Sequence, residues 1–303
     1  MWKRFLMISL AITFILTSMA VVTVGYQQEP QVLVVTDDTN QETQYFQLPQ
    51  RVVVLEPGVA LLMRQWQREN LIVATTDELK SLFPSAENLG PAEQITVLQL
   101  AATRPDLIIA GTRHRALIEE ARTYGYASIL VRLDSLSSLM SWPAKLGSLL
   151  AAQQQAAQTT RLLEKEMAEF ANNAQGRASA GRRVIWLVDE QYTVAGRNTL
   201  EADLLELIGA VNVGAVFNRY VSLEPVEIAV IRPQIIIAPE ALLPILQAQA
   251  WPDPDHLPQF IPMTAPPDTI GWHDVFSKAE DLMLQLESLP EEDAQGAKPS
   301  AGD

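Results

Sequence analysis

The segment Arg104-Pro105-Asp106-Leu107-Ile108-Ile109-Ala110 returns as Arg232-Pro233-Gln234-Ile235-Ile236-Ile237-Ala238, 128 positions further on. Each copy is a short apolar run behind a proline, the pattern of a strand buried on both faces. Arg51-Val52-Val53-Val54-Leu55 likewise returns as Arg183-Val184-Ile185-Trp186-Leu187. Two pairs at nearly the same offset divide the chain into two similar halves. Matched halves leave a cleft between them, and interfaces of that kind are where small ligands bind.

A chain of 303 residues that is 48% hydrophobic holds enough material for two cores without staples. Its net charge of −14, from 36 acidic and 22 basic residues, argues against nucleic acid as a partner, because that would need a basic stripe. Cysteine is absent, which removes disulfides, thiolate metal sites, cysteine nucleophiles and lipid attachment through an N-terminal cysteine. There is no Gly-x-Ser-x-Gly elbow, phosphate loop or His-Glu-x-x-His, so no motif supports an enzyme and no cofactor is expected. The three histidines, His114, His256 and His273, have no i,i+4 partner that would make a zinc motif.

Lys3 and Arg4 precede an apolar stretch from Phe5 to Val24, with small residues at Ser18 and Ala20 or at Thr23 and Gly25 that suit a signal peptidase. Residues 1–25 therefore read as a signal peptide or, since the stretch is nearly long enough to span a bilayer, as an uncleaved N-terminal anchor. Both readings place the rest of the chain outside the cytoplasm.

Val32 to Thr36 and Gln44 to Leu48 flank the polar Asp37-Asp38-Thr39-Asn40, which predicts a leading hairpin. Strands at Val52–Leu55, Ile72–Ala74, Leu107–Ala110 and Ser128–Val131 then alternate with helices around Ala60–Gln67, Val97–Thr103 and Ala116–Tyr124. Such alternation predicts an α/β lobe over 26–135 with a parallel sheet covered by helices. From 136 to 175, Leu146, Leu149, Leu150, Ala157, Leu163, Met167 and Phe170 recur at helical spacing, predicting one long connecting helix. A basic joint at Arg177–Arg183 opens a second α/β lobe over 176–289, which ends in a helix near Val275–Leu286. The acidic, Gly/Pro/Ala-rich segment 290–303 is expected to be disordered.

The order of hairpin, strand with Pro-Gly turn, Arg-Pro strand, long helix, second strand, second Arg-Pro strand and terminal helix resembles the helical-backbone periplasmic binding proteins. These deliver cobalamin, iron-siderophores or haem to ABC importers. The likeness runs from about Val32 to Leu286. Its most specific pieces are VLVVTDDTNQETQYFQLPQRVVVLEPG at 32–58, LAATRPDLIIAG at 100–111 and AGRNTLEADLLELIGAVNV at 195–213. The resemblance implies two Rossmann-like lobes with central parallel sheets, joined by one long helix, with little hinge motion on ligand capture.

In such a fold the ligand lies outside the carboxyl ends of the strands. That rule selects Glu56, Pro57 and Gly58, Phe83, and Thr112, Arg113 and His114 in the first lobe. In the second it selects Gln191, Tyr192 and Arg197, then Phe217, Arg219 and Tyr220, and finally Trp272. By resemblance, Phe83, Arg113, Tyr192, Tyr220 and Trp272 lie near the family's aromatic or basic ligand contacts. Aromatic rings would stack on a flat macrocycle, and Arg113, Arg197 and Arg219 would pair with an anionic chelate. His114 offers a ligand to haem iron from one side. The structural alternatives are that Phe83 and Trp272 cap lobe cores, that Glu56 sits at a helix start, and that Asn198 or Thr199 caps the following helix.

The resemblance also implies one surface glutamate per lobe for docking on the permease, seven residues before the proline of the buried strand. Leu98 and Val226 occupy those places, and Leu61 replaces the acid usual in the first helix. Glu93, Glu224 and Glu227 lie nearby as substitutes. Two functions stay open here: a monomeric binding protein feeding an ABC permease in the inner membrane with a small-molecule chelate, and a permease-independent exported binding or accessory protein.

Overall fold

The computed structural model describes residues 32–174, 181–252, 257–263 and 275–290. The expected signal peptide or anchor, residues 175–180 with most of the basic joint, His256, Trp272, His273 and the tail beyond 290 lie outside the described residues. The described residues open with β1 (Leu33–Thr36) and β2 (Glu42–Tyr45), a two-stranded ladder that realises the expected hairpin, its second strand starting two residues early. Residues 32–34 and 44–47 group as a small unit of their own, and both lobes belong to the larger unit.

The first lobe runs through β3 (Val52–Val54), α1 (Pro57–Gln65), β4 (Ile72–Thr75), β5 (Glu87–Asn88), α2 (Val97–Ala102), β6 (Leu107–Gly111), α3 (Arg115–Thr123) and β7 (Ser128–Val131). Its five strands are parallel, in the order β5-β4-β3-β6-β7. On one face Val53, Leu55, Ile108 and Ala110 pack against Leu100 of α2 and Ile118 and Ala121 of α3. Val52, Val54 and Ile109, which point to the other face, are equally buried. Burial on both faces is why these strands are continuous apolar runs rather than alternating ones.

Two helices follow, α4 (Leu136–Leu149) and α5 (Gln153–Ala174). The second lobe then comprises β8 (Arg183–Trp186), β9 (Thr193–Ala195), α6 (Leu200–Leu207), β10 (Val211–Asn212), β11 (Tyr220–Ser222), α7 (Pro225–Ile231), β12 (Ile235–Pro239), α8 (Leu243–Ala248), β13 (Gln259–Met263) and α9 (Val275–Ser288). Its parallel sheet has the order β10-β8-β12-β13, and β9 and β11 form a separate antiparallel ladder. Among the described residues no helix is long and apolar enough to cross a membrane.

The repeated motifs have a shared structural cause. Arg51 donates from Nε to Arg104 O at 2.9 Å and from Nη2 to Thr103 O at 2.6 Å, while Asp106 accepts from the main-chain N–H groups of Gln50 and Arg51. In the second lobe Arg183 reaches Ile231 O at 2.9 Å and Arg232 O at 3.5 Å, and Gln234 accepts from Arg183 N at 2.8 Å. Arg104 and Arg232 are both left-handed, with φ of 50° and 53°. Each lobe thus ties the end of a helix to the start of two neighbouring strands through one arginine and one Asp or Gln. Replacing Arg51 by Ala should lower stability by about 1.5–3 kcal/mol, the usual worth of hydrogen bonds to a charged group. Urea unfolding would register this as a lower midpoint at unchanged slope.

The expected single connecting helix over 136–175 is corrected to two. Ala151 is left-handed, with φ of 51°, and breaks the ladder between α4 and α5. A Cβ added at Gly147 would overlap the Ala156 Cβ, although nine residues of continuous helix would set the two about 13 Å apart. The helices therefore turn back and pack on each other, and glycine allows their close approach. Arg68 holds the break from outside, donating from Nε to Leu150 O at 3.0 Å and from Nη2 to Ala151 O at 2.7 Å. These bonds occupy carbonyls that the end of α4 leaves unpaired.

Candidate ligand crevice

A crevice of about 670 Å³ opens beyond the carboxyl ends of both parallel sheets. From the first lobe it takes Glu56 and Gly58 after β3, Thr112 and Arg113 after β6, and Val131 to Asp134 at and after β7. From the second it takes Val188 and Asp189 after β8, Thr193 of β9, Leu200 and Glu201 at the start of α6, and Arg219 and Tyr220 at β11. The sequence rule thus brings together Glu56, Gly58, Thr112, Arg113, Arg219 and Tyr220.

Local structure explains these placements. Pro57 starts α1, where its missing N–H costs nothing. That leaves Glu56 at the N-cap without a side-chain cap bond, and its carboxylate lies over Gly111, where any Cβ would overlap Oε2. Thr199 caps α6 by accepting from Ala202 N at 3.2 Å, as one of the two expected caps, and so sets Glu201 in the first turn. Glu201 is only 2% exposed and accepts a 3.0 Å hydrogen bond from Tyr220 Oη. Burial pushes the Glu201 carboxyl above its usual range, despite hydrogen bonds from its own N–H, Tyr220 and Thr199. Burial likewise drives the Tyr220 hydroxyl upward, reinforced by the charge of Glu201 and the hydrogen bond to it.

Among the described residues, an ion pair and a hydrogen bond tie the second lobe to the end of the first lobe and the helix after it. Arg219 of the second lobe pairs with Asp134, which follows β7 of the first. Asp203 of α6 accepts from the main-chain N–H of Leu136 at 2.7 Å, at the first residue of α4. Burial raises the Asp203 carboxyl, partly offset by that bond. Behind the crevice Asp38 accepts from Arg132 N at 2.6 Å and from Trp142 Nε1 at 2.8 Å, fixing the loop that presents Arg132 and Asp134.

A model of the family described as periplasmic binding protein matches residues 52–240, which takes in both repeated motifs. The chain belongs to the periplasmic binding protein family. No curated protein sequence matches it. Among solved structures it is similar to a possible iron-binding, periplasmic solute-binding protein of Staphylococcus epidermidis, at 16% identity and a TM-score of 0.65, over 79% of this chain and 99% of that one. A periplasmic vitamin B12 binding protein of Vibrio cholerae matches at 13% identity and a TM-score of 0.64, over 80% and 99% of the two chains. A periplasmic haem binding protein of Pseudomonas aeruginosa matches at 19% identity and a TM-score of 0.61, over 79% and 93%.

In this periplasmic binding protein several expected site residues stand elsewhere. Phe83 is 5% exposed, inside the first lobe, which fits the alternative that it serves that lobe's core. Tyr192 and Phe217 pack against the apolar core of the second lobe, and Arg197 is exposed outside the crevice lining. His114 is buried and lines a separate first-lobe groove with Glu93 and Tyr124, so it does not face the crevice as a haem ligand would. Burial, then the charge of Arg113, lowers its pKa. Trp272 lies outside the described residues.

The residues near the docking places that the resemblance implies are on the surface. Leu98 is 83% exposed and Val226 66% exposed. Glu93 is exposed, while Glu224 and Glu227 form a capping box at the start of α7, with Glu227 Oε2 accepting from Glu224 N at 2.7 Å. Sequence reasoning missed Arg132, Leu133, Asp134, Val188, Asp189, Thr193, Leu200 and Glu201. Carrying the carboxyl-end rule past Val131 and Leu187 would have found Arg132, Asp134 and Asp189.

Proposed function

We propose that this protein is exported and, as a monomer, captures a metal chelate, an iron complex such as a siderophore or haem, or cobalamin, and delivers it to an ABC importer. The observation that carries the reading is a crevice at the carboxyl ends of two equivalent sheets, lined from both lobes, in a periplasmic binding protein. Its volume of about 670 Å³ falls within the range of small-molecule sites. The named binding partners of the similar structures, iron, vitamin B12 and haem, support the ligand class. Family membership also favours delivery to an importer over an accessory role without a permease. The permease-facing carboxylates would be Glu93, Glu224 and Glu227.

The chemistry asked of the crevice is binding, with no covalent step. The Asp134–Arg219 pair supports capture with little hinge motion. The test is an absorption and mass spectrum of material that co-purifies with the exported chain, followed by thermal shifts with ferric siderophores, haemin and cobalamin. A true ligand at 100 times its Kd should add about 2.7 kcal/mol of stability. No bound chromophore, no bound mass and no shift with any of the three classes would remove the reading.

A further inference from the structure

The sequence offers Arg113, Arg197 and Arg219 as anchors for an anionic chelate, but the fold spends its crevice arginines on the protein's own carboxylates. Arg219 pairs with Asp134, Arg132 Nε stands 3.8 Å from the same carboxylate, and Arg113 Nη2 stands 3.6 Å from Glu78. Arg197 is outside the lining. Against three guanidiniums the described lining sets the carboxylates of Glu56, Asp134 and Asp189, besides the buried Glu201 carboxyl that Tyr220 occupies, and among the described residues it holds no lysine or histidine. Asp189 accepts main-chain hydrogen bonds from Gln191 at 2.9 Å and Thr193 at 3.1 Å, and no ion pair joins it to a described residue. Tyr220 is the one aromatic residue in the described lining.

We infer that the crevice selects a chelate whose rim carries amide or ammonium N–H groups and no net negative charge, over chelates edged with carboxylates or catecholates. This rests on the solute-binding reading and narrows its ligand class. A negatively charged rim would have to lie against Asp189 and Glu56 or pull Arg219 away from Asp134, and like-charge juxtaposition and a broken pair both weaken binding. Amide and ammonium donors instead meet carboxylate acceptors already in place.

The experiment is titration calorimetry of the full chain with matched pairs on three scaffolds. A ferric trihydroxamate is used with a free ammonium and with that amine succinylated, a corrinoid as amides and as carboxylates, and an iron porphyrin as propionamides and as propionates. On whichever scaffold binds, the amide or ammonium form should be tighter by about tenfold or more. Equal or tighter binding of the carboxylate form overturns the inference while leaving the chelate reading intact. Absence of binding on every scaffold overturns the chelate reading and this inference with it. Asp189→Asn keeps the oxygen that receives the two N–H groups and removes the charge, so it should shrink the preference at least about threefold. A ratio unmoved by that change overturns the assignment to the crevice carboxylates.

Discussion

Replacing Asp37 by Ala should destabilise the protein by about 3 kcal/mol or more, the loss expected when one partner of a buried ion pair is removed. Asp37 is 2% exposed. Its Oδ1 accepts from Thr39 N at 2.8 Å, Thr39 Oγ1 at 2.6 Å and Gln41 N at 3.1 Å, and its Oδ2 from Leu130 N at 3.1 Å and from Arg122 Nη2. One carboxylate therefore closes the first turn and fastens it to β7. Burial alone would raise its pKa, but the bonds from Thr39, Arg122 and Leu130 N outweigh it and leave the pKa below the ordinary 3.8. The sign follows from linkage: stability is present in full above the unfolded value and is lost as pH falls from 3.8 towards the lower folded value. Thermal unfolding at pH 7 should show Asp37→Ala melting about 6–12 °C below the parent. Asp37→Asn should flatten the acid limb of the stability curve, and a variant that melts with the parent at pH 7 would refute the role.

That anchor shows where sequence reading reached and where it stopped. Asp37-Asp38-Thr39-Asn40 was legible as a turn because its residues favour turns, but their side chains reach Arg122, Leu130, Arg132 and Trp142 over more than 80 positions. No local pattern encodes such partners. The buried strands were legible because a run covered on both faces must be apolar throughout, and the Arg-Pro motif repeats because both lobes need the same tie. The break after Leu150 was not legible, since Leu150-Ala151-Ala152 are good helix formers with no glycine or proline, and the guanidinium that holds the break comes from Arg68. Strands β9 and β11 have three residues each, too few for a period to show. In the crevice, the loops after β3 and β6 followed from the carboxyl-end rule. Glu201 did not: Leu-Glu-Ala-Asp-Leu-Leu-Glu reads as an ordinary acidic helix face, and only the fold turns one of those acids inward.

Glu201 and Tyr220 carry the other large expected effect. Tyr220 is the crevice's one described aromatic wall, and its hydroxyl is tied to a buried acid that holds the ring in place. Tyr220→Ala should weaken the captured chelate by about thirtyfold, as loss of a central tyrosine does at other binding sites. Glu201→Ala should cost about 1–3 kcal/mol of stability by leaving the hydroxyl without its acceptor. Glu201→Gln keeps the acceptor and the shape without the charge, and its effect has the opposite sign. The folded pKa of Glu201 is raised, so its share of stability is full below the unfolded value of 4.5 and drains as pH rises towards the folded value. The glutamine variant escapes that loss. It should therefore match the parent near pH 4, melt above it at neutral pH, and bind the same chelate with unchanged affinity. Melting curves across this range, paired with titrations of Tyr220→Ala, check both halves. A glutamine variant less stable than the parent at neutral pH would refute a raised Glu201 pKa in the folded protein.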